Sequence, residues 1–151
     1  MTSTHFTKIL SVFCVVASAM VVQAQSATIT VSGPGAIVKS KPFTLKVQIK
    51  TPDGYHIYGA KEKVGVPTTF AITSPKGFKI KATYPKPTIF RGLDGPQEVY
   101  SGTTAFPISV TAPKGAKGKH IIKLKVSFMM CNDHTCLPRT SADVSMTVNL
   151  K

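Results

Sequence analysis

Cys131 and Cys136 stand near the end of a 151-residue chain with four residues between them, one of which is His134. Three chemistries fit such a unit. The pair could be a structural staple, it could work as a dithiol, or two thiolates and an imidazole could hold a soft metal such as Cu(I) or zinc. Closing so short a loop removes little denatured-state entropy, about 2 kcal/mol. A domain of this length can also build a core without staples. A closed zinc site asks for four ligands. Beyond Cys131, His134, Cys136 and the sulfur of Met130, the candidates are His56 and His120, both distant in sequence, so no metal and no cofactor is expected. Exchange chemistry needs a thiolate and access. A protonated His134 would favour the thiolate and Asp133 would oppose it. Asn132 and Thr135 are small enough to let a partner's sulfur approach in line, and Met129, Met130, Leu137 and Pro138 offer an apolar contact surface. On these residues alone, staple and dithiol stand level.

The pair must be positioned by strands, because the periodicity is 2 nearly everywhere and 3.6 nowhere. Phe43, Leu45, Val47 and Ile49 share one face while Thr44, Lys46, Gln48 and Lys50 take the other. The same alternation runs through Phe70 and Ile72, Phe78 and Ile80, and Phe106, Ile108 and Val110. It returns at Ile122, Leu124, Val126 and Phe128 before the cysteines, and at Val144, Met146, Val148 and Leu150 after them. Pro52-Asp53-Gly54, Ser74 to Gly77 and Pro113 to Gly118 supply turns between these runs. Short strands with no helical segment between them predict an antiparallel β-sandwich. Pro107 lies inside a strand pattern and should confine that strand to an edge or a bulge. Two stretches depart from the pattern. Tyr55 to Tyr58 runs into a loop through Pro67, and Tyr84 to Gly102 reads as a shaped loop, a usual place for binding chemistry.

The beginning of the chain reads as an address. Lys8 precedes an apolar run of about 14 residues, Ile9 to Val22, and Val22-Gln23-Ala24 offers the small residues a signal peptidase reads. That run is shorter than the roughly 20 residues a membrane-spanning helix needs. Residues 1–24 are therefore expected to be a cleaved signal peptide, and 25–151 one exported domain, periplasmic or secreted. Loss of Cys14 with the signal leaves an even pair in a disulfide-permitting compartment. Lys and Arg number 19 against 6 Asp and Glu, a net charge of +13. The lysines are spread over outward strand positions and not clustered among aromatics, so a solvated basic surface is expected and no nucleic-acid partner.

Several stretches, in order, resemble the N-terminal periplasmic domain of the disulfide reductase DsbD. They are Asp53-Gly54-Tyr55-His56-Ile57-Tyr58, Glu98-Val99-Tyr100 followed by Phe106-Pro107-Ile108, and Cys131 to Pro138 with its paired cysteines and following proline. The resemblance implies an immunoglobulin-like sandwich whose Cys131 and Cys136 exchange disulfides, with Cys136 facing the partner. It implies a capping loop over the pair, here about Phe90 to Gly95, with Leu93 and Asp94 where aromatic residues are expected at the tip. Tyr55, Tyr58 and His134 would shape the site. Partners would be thioredoxin-like periplasmic proteins or a separate membrane electron relay, with contact to the membrane only through that partner and the domain itself monomeric. The sequence ends after this domain, so its electron source is expected to be another protein. The alternatives are a non-catalytic protein- or envelope-binding module with a structural disulfide, and a periplasmic Cu/Zn-binding domain.

Overall fold

The computed structural model describes residues 26–34, 42–92 and 95–151. The expected signal segment, and Leu93 and Asp94 of the expected cap, lie outside the described residues. Among the described residues eleven strands form three antiparallel sheets, and no helix occurs. The first sheet orders β1 (Thr28–Ser32), β2 (Phe43–Lys50), β8 (Thr103–Thr111) and β5 (Lys79–Ala82) as β1-β2-β8-β5. The second is β11 (Thr140–Leu150), β9 (Gly118–Phe128) and β4 (Thr69–Ser74), in the order β11-β9-β4. The third is β10 (Met130–Cys131), β3 (His56–Tyr58), β7 (Gly95–Ser101) and β6 (Thr88–Gly92), in the order β10-β3-β7-β6. The fold is an immunoglobulin-like β-sandwich, as expected from the sequence.

The alternating runs build the core. Leu45, Val47 and Ile49 of β2, Phe106, Ile108 and Val110 of β8, and Ile122, Leu124 and Val126 of β9 are all buried, while the lysines between them on β2 and β9 stay exposed. One strand face in oil and one in water is what period 2 requires. Phe70, Tyr84 and Tyr100 pack their rings around Phe106, with centroids 5.1–5.9 Å away. Contacts of β1 with β11 and of β4 with β5 close the sandwich along its sides.

Two expectations need correction. β8 is a central strand, not an edge, although it contains Pro107. The pairing of β5 with β8 ends at Ala82 opposite Ile108, and the next contact is a single bond from Thr83 N to Pro107 O. A residue in an antiparallel hydrogen-bonded pair gives and takes on the same side. The missing proline N–H therefore points to where β5 leaves the ladder, so a central strand tolerates it. The second correction concerns Tyr84 to Gly102, which is largely the β6–β7 hairpin rather than a loop. Its prolines are arranged by the same rule. Pro85 and Pro87 precede β6, and Pro96 lies opposite Arg91 but beyond the part of β7 that β3 reaches.

Candidate functional site

After β9 the chain breaks step at Met129 and enters the third sheet as β10. There Cys131 pairs with His56 and Met130 with Ile57. Residues directly opposite on antiparallel strands project to the same face. Met130, Ile57 and Tyr100 turn inward to the main core, and Cys131, His56, Tyr58 and Val99 turn to the other face. Met130 is thus a core residue and not part of an apolar contact surface; Met129 instead packs beside Tyr58 and Cys131.

The turn that returns the chain is made by Asn132. Its Oδ1 accepts from the backbone N–H of His134 (2.9 Å) and of Thr135 (2.8 Å), the local closure an Asx turn provides. Asn132 N to Thr135 O and Leu137 N to Met130 O complete it. Cys136 is thereby set opposite Cys131, their Cα atoms 4.0 Å apart, and the two are joined in a disulfide. The two sulfurs have unequal surroundings. Cys131 is 1% exposed, whereas Cys136 lies on the surface.

Both cysteines open onto a cleft of about 230 Å³. Its floor is His56, Tyr58 and Cys131, one wall is Phe90, Gly92 and Gln97 of the β6–β7 hairpin, and the other wall is the 132–136 turn. Tyr58 brings its hydroxyl 3.5 Å from Cys131 Sγ and 3.9 Å from Cys136 Sγ. With both sulfurs oxidised only the phenol has a proton, so Tyr58 is the donor. Its backbone is fixed by Thr68, whose Oγ1 (2.6 Å) and N–H (3.2 Å) both donate to Tyr58 O. Its ring is held from above by Gly65, which has φ +80° and where a Cβ would lie 2.5 Å from Tyr58 Cε2. Only glycine meets both conditions there.

His56, which the sequence offers only as a distant metal-ligand candidate, and the buried Gln97 are members of the site that the sequence does not place there. His56 is 5% exposed, stacks at 4.5 Å on Phe90 and meets the edge of Tyr58 at 5.9 Å. Its Nε2 is buried without a hydrogen-bond partner. Burial holds the imidazole below the ordinary histidine range, and the Asp133 carboxylate partly opposes this by favouring the cation. Period 2 is the available signal: residues 56 and 58 must share a face that 55 and 57 cannot. Tyr55 accordingly packs against the main core and lines no part of the cleft. His134 and Asp133 are exposed on the turn and line the cleft with Phe90. Among the described residues no group of three or more His, Cys, Asp and Glu is arranged to hold a metal ion.

Fold and site together define an immunoglobulin-like domain that carries a disulfide, half buried and half exposed, in a cleft of its smallest sheet. The family model described as thiol:disulfide interchange protein DsbD, N-terminal, matches residues 20–147, and the chain belongs to this family. The family as a whole is one of thiol–disulfide exchange. A crystal structure of the N-terminal periplasmic domain of ScsB from Proteus mirabilis shares the fold, with a TM-score of 0.58 and 16% identity over 82% of this chain. The chain spans 46% of that structure's length. The Neisseria meningitidis DsbD N-terminal domain in the reduced form aligns at a TM-score of 0.43 and 15% identity, covering 70% of this chain and 77% of its own. No curated protein sequence matches the chain.

Proposed function

We propose that this domain passes reducing equivalents between exported proteins through Cys131 and Cys136, with Cys136 as the partner-facing sulfur. The supporting observation is the asymmetry of the pair: one sulfur at the surface, the other beneath it beside a proton donor. Thiol exchange demands in-line approach to one sulfur while the other leaves. A thiolate of a reducing partner attacks Cys136 Sγ, the Cys131–Cys136 bond breaks, and its electron pair departs on Cys131 Sγ. The Tyr58 hydroxyl is already aimed at that sulfur. The partner's second thiolate then attacks its own half of the mixed disulfide and releases Cys136 as a thiolate. Two electrons have moved, and the partner leaves as a disulfide. Running in reverse, the reduced pair reduces an oxidised acceptor. Thioredoxin-like proteins and a membrane electron relay are the partner classes proposed, in the periplasm or outside the cell, with the mature chain beginning at Gln25.

Two measurements test this. Equilibration with glutathione buffers, read by alkylation mass shift, should give a potential above the range of about −300 mV and below that marks structural disulfides. With a thioredoxin-fold dithiol as partner, Cys131→Ala should accumulate a mixed disulfide through Cys136, and Cys136→Ala should accumulate far less through the buried Cys131. A structural-range potential together with no trapping by either variant would leave a binding module with a structural disulfide as the correct reading.

A further inference from the structure

The exchange reaction leaves a proton to be placed at a buried sulfur, and one buried group in the cleft has nothing to bond. We propose that the His56 imidazole is the proton acceptor for the Cys131 thiol when the reduced pair closes onto an acceptor. His56 and Cys131 are direct cross-strand partners, so their Cβ atoms fall within about 4.5–5.5 Å on one face. Both line the same cleft. The Nε2 atom has no partner while Cys131 is oxidised. A buried polar atom left unbonded is costly, and reduction supplies the missing partner, a thiol, at the neighbouring position. The stack of His56 on Phe90 at 4.5 Å holds the ring in place for it.

This rests on the exchange reading and assigns the resolving step. Cys136 thiolate first attacks the acceptor's disulfide and forms a mixed disulfide with it. Cys131 then gives its proton to Nε2 as its sulfur attacks Cys136 Sγ. The new Cys131–Cys136 bond forms, the bond from Cys136 to the acceptor breaks, and the electron pair leaves on the acceptor's sulfur. The imidazolium returns the proton to that thiolate or to water. Burial keeps the imidazole neutral and able to accept, and Asp133 on the facing turn stabilises the cation once formed. The other titratable groups around the ring are Tyr58 on the same strand and His134 and Cys136 on the turn, while β6 and β7 present only Phe90, Gly92 and Gln97.

Dithiobis-nitrobenzoate separates the steps, because attack by Cys136 releases one nitrothiobenzoate and resolution by Cys131 releases the second. In the full reduced domain, His56→Gln should still release the first equivalent. The second should slow by about a hundredfold, the lower end of what a positioned base contributes, and lose the imidazole's inflection from its pH profile. A second phase with unchanged rate and unchanged pH profile would overturn the proposal while leaving the exchange reading intact. Absence of the first release from the unaltered domain would end both. If the variant does not fold, the unaltered domain decides the matter by proton NMR. The Cys131 thiol donating to Nε2 stabilises the neutral ring, so His56 should titrate at lower pH in the reduced than in the oxidised form, and identical titrations would overturn the assignment.

Discussion

The main core and the small sheet beside it bury side chains for opposite ends. Between the two larger sheets the buried set from β2, β8 and β9 is hydrocarbon throughout its inner face, with Phe106, Leu124 and Ile108 among its largest members. The second cluster is only Tyr58, Val99 and Cys131, flanked by Phe90 and Met129, and it has buried His56 and Gln97 around it. Apolar burial of the first kind stabilises whatever the redox state. The second kind holds one polar atom, His56 Nε2, left without a partner in the oxidised state, a poor way to gain stability and a serviceable way to bring two redox states closer in energy. Stability in this molecule should therefore be carried by the sandwich, and redox behaviour by the small sheet.

The widest separation of the two regions comes from paired truncations. Phe106→Ala leaves a cavity among Phe70, Tyr84 and Tyr100 and should cost about 3–5 kcal/mol in urea unfolding. Replacing both Cys131 and Cys136 by alanine removes a crosslink spanning a sequence separation of 5 and should cost only about 2 kcal/mol. The order of these two losses is the informative quantity. If the cysteine-free domain is the less stable, the disulfide is a staple after all and the division between the regions breaks down.

The same division explains what can be read in the sequence. Strands β2, β8, β9 and β11 are 8, 9, 11 and 11 residues long. Each is long enough for alternation alone to name its inner face. The site is made from β3 and β10, of 3 and 2 residues, buried on both faces. Two faces buried over so short a run leave no apolar–polar alternation to name the face that meets the cysteines, and period 2 groups His56 with Tyr58, and Tyr55 away from both, only once one of them is known to face the pair. The β6–β7 hairpin is hidden by its prolines. Their effect depends on which neighbouring strand has already ended, and that is a fact of register, absent from local sequence. The cysteine pair itself is legible because short spacing and flanking turn residues act locally. The inequality of its two sulfurs is implied by the family resemblance but not by local sequence, since Cys131 is covered by residues more than 70 positions away, Tyr58 among them.

A smaller effect sharpens the redox side. Tyr58→Phe keeps the ring beneath Gly65 and deletes the hydroxyl that donates to Cys131 Sγ. A thiol or thiolate accepts that bond better than a disulfide sulfur does, and hydrogen bonds to ionised acceptors are roughly twice as strong. The loss should therefore fall mainly on the reduced form. At about 1 kcal/mol for one such bond, the potential should become more negative by about 20 mV. Unfolding of the oxidised domain should change by less than the Phe106→Ala loss. A potential that does not move, read against glutathione, would show that the phenol bonds both redox states equally.

The slightest expected effect tests whether the small sheet can open independently of the sandwich. Glu62, on the connection between β3 and β4, accepts from Glu98 N–H on β7 at 2.8 Å and from Lys63 and Val64 N–H at 2.9 and 3.3 Å. Gly59 N bonds Glu98 O at 2.7 Å beside it. The bond from Glu98, above all, holds the Glu62 carboxyl below its ordinary range, against the opposing pull of slight burial. A carboxyl that titrates lower in the folded state stabilises fully above its unfolded value of about 4.3. That contribution disappears as the pH falls through the folded value. Because the side chain is only half-buried, solvent screening keeps the effect small. Glu62→Gln should therefore lower hydrogen-exchange protection at the Glu98 and Gly59 amides at pH 7, and the difference from the unaltered domain should shrink toward pH 3. Amides of Phe106 and Leu124 should be protected equally in both. Equal protection at Glu98 would mean the loop is held by its backbone alone, and a parallel loss at Phe106 would mean the two regions open as one.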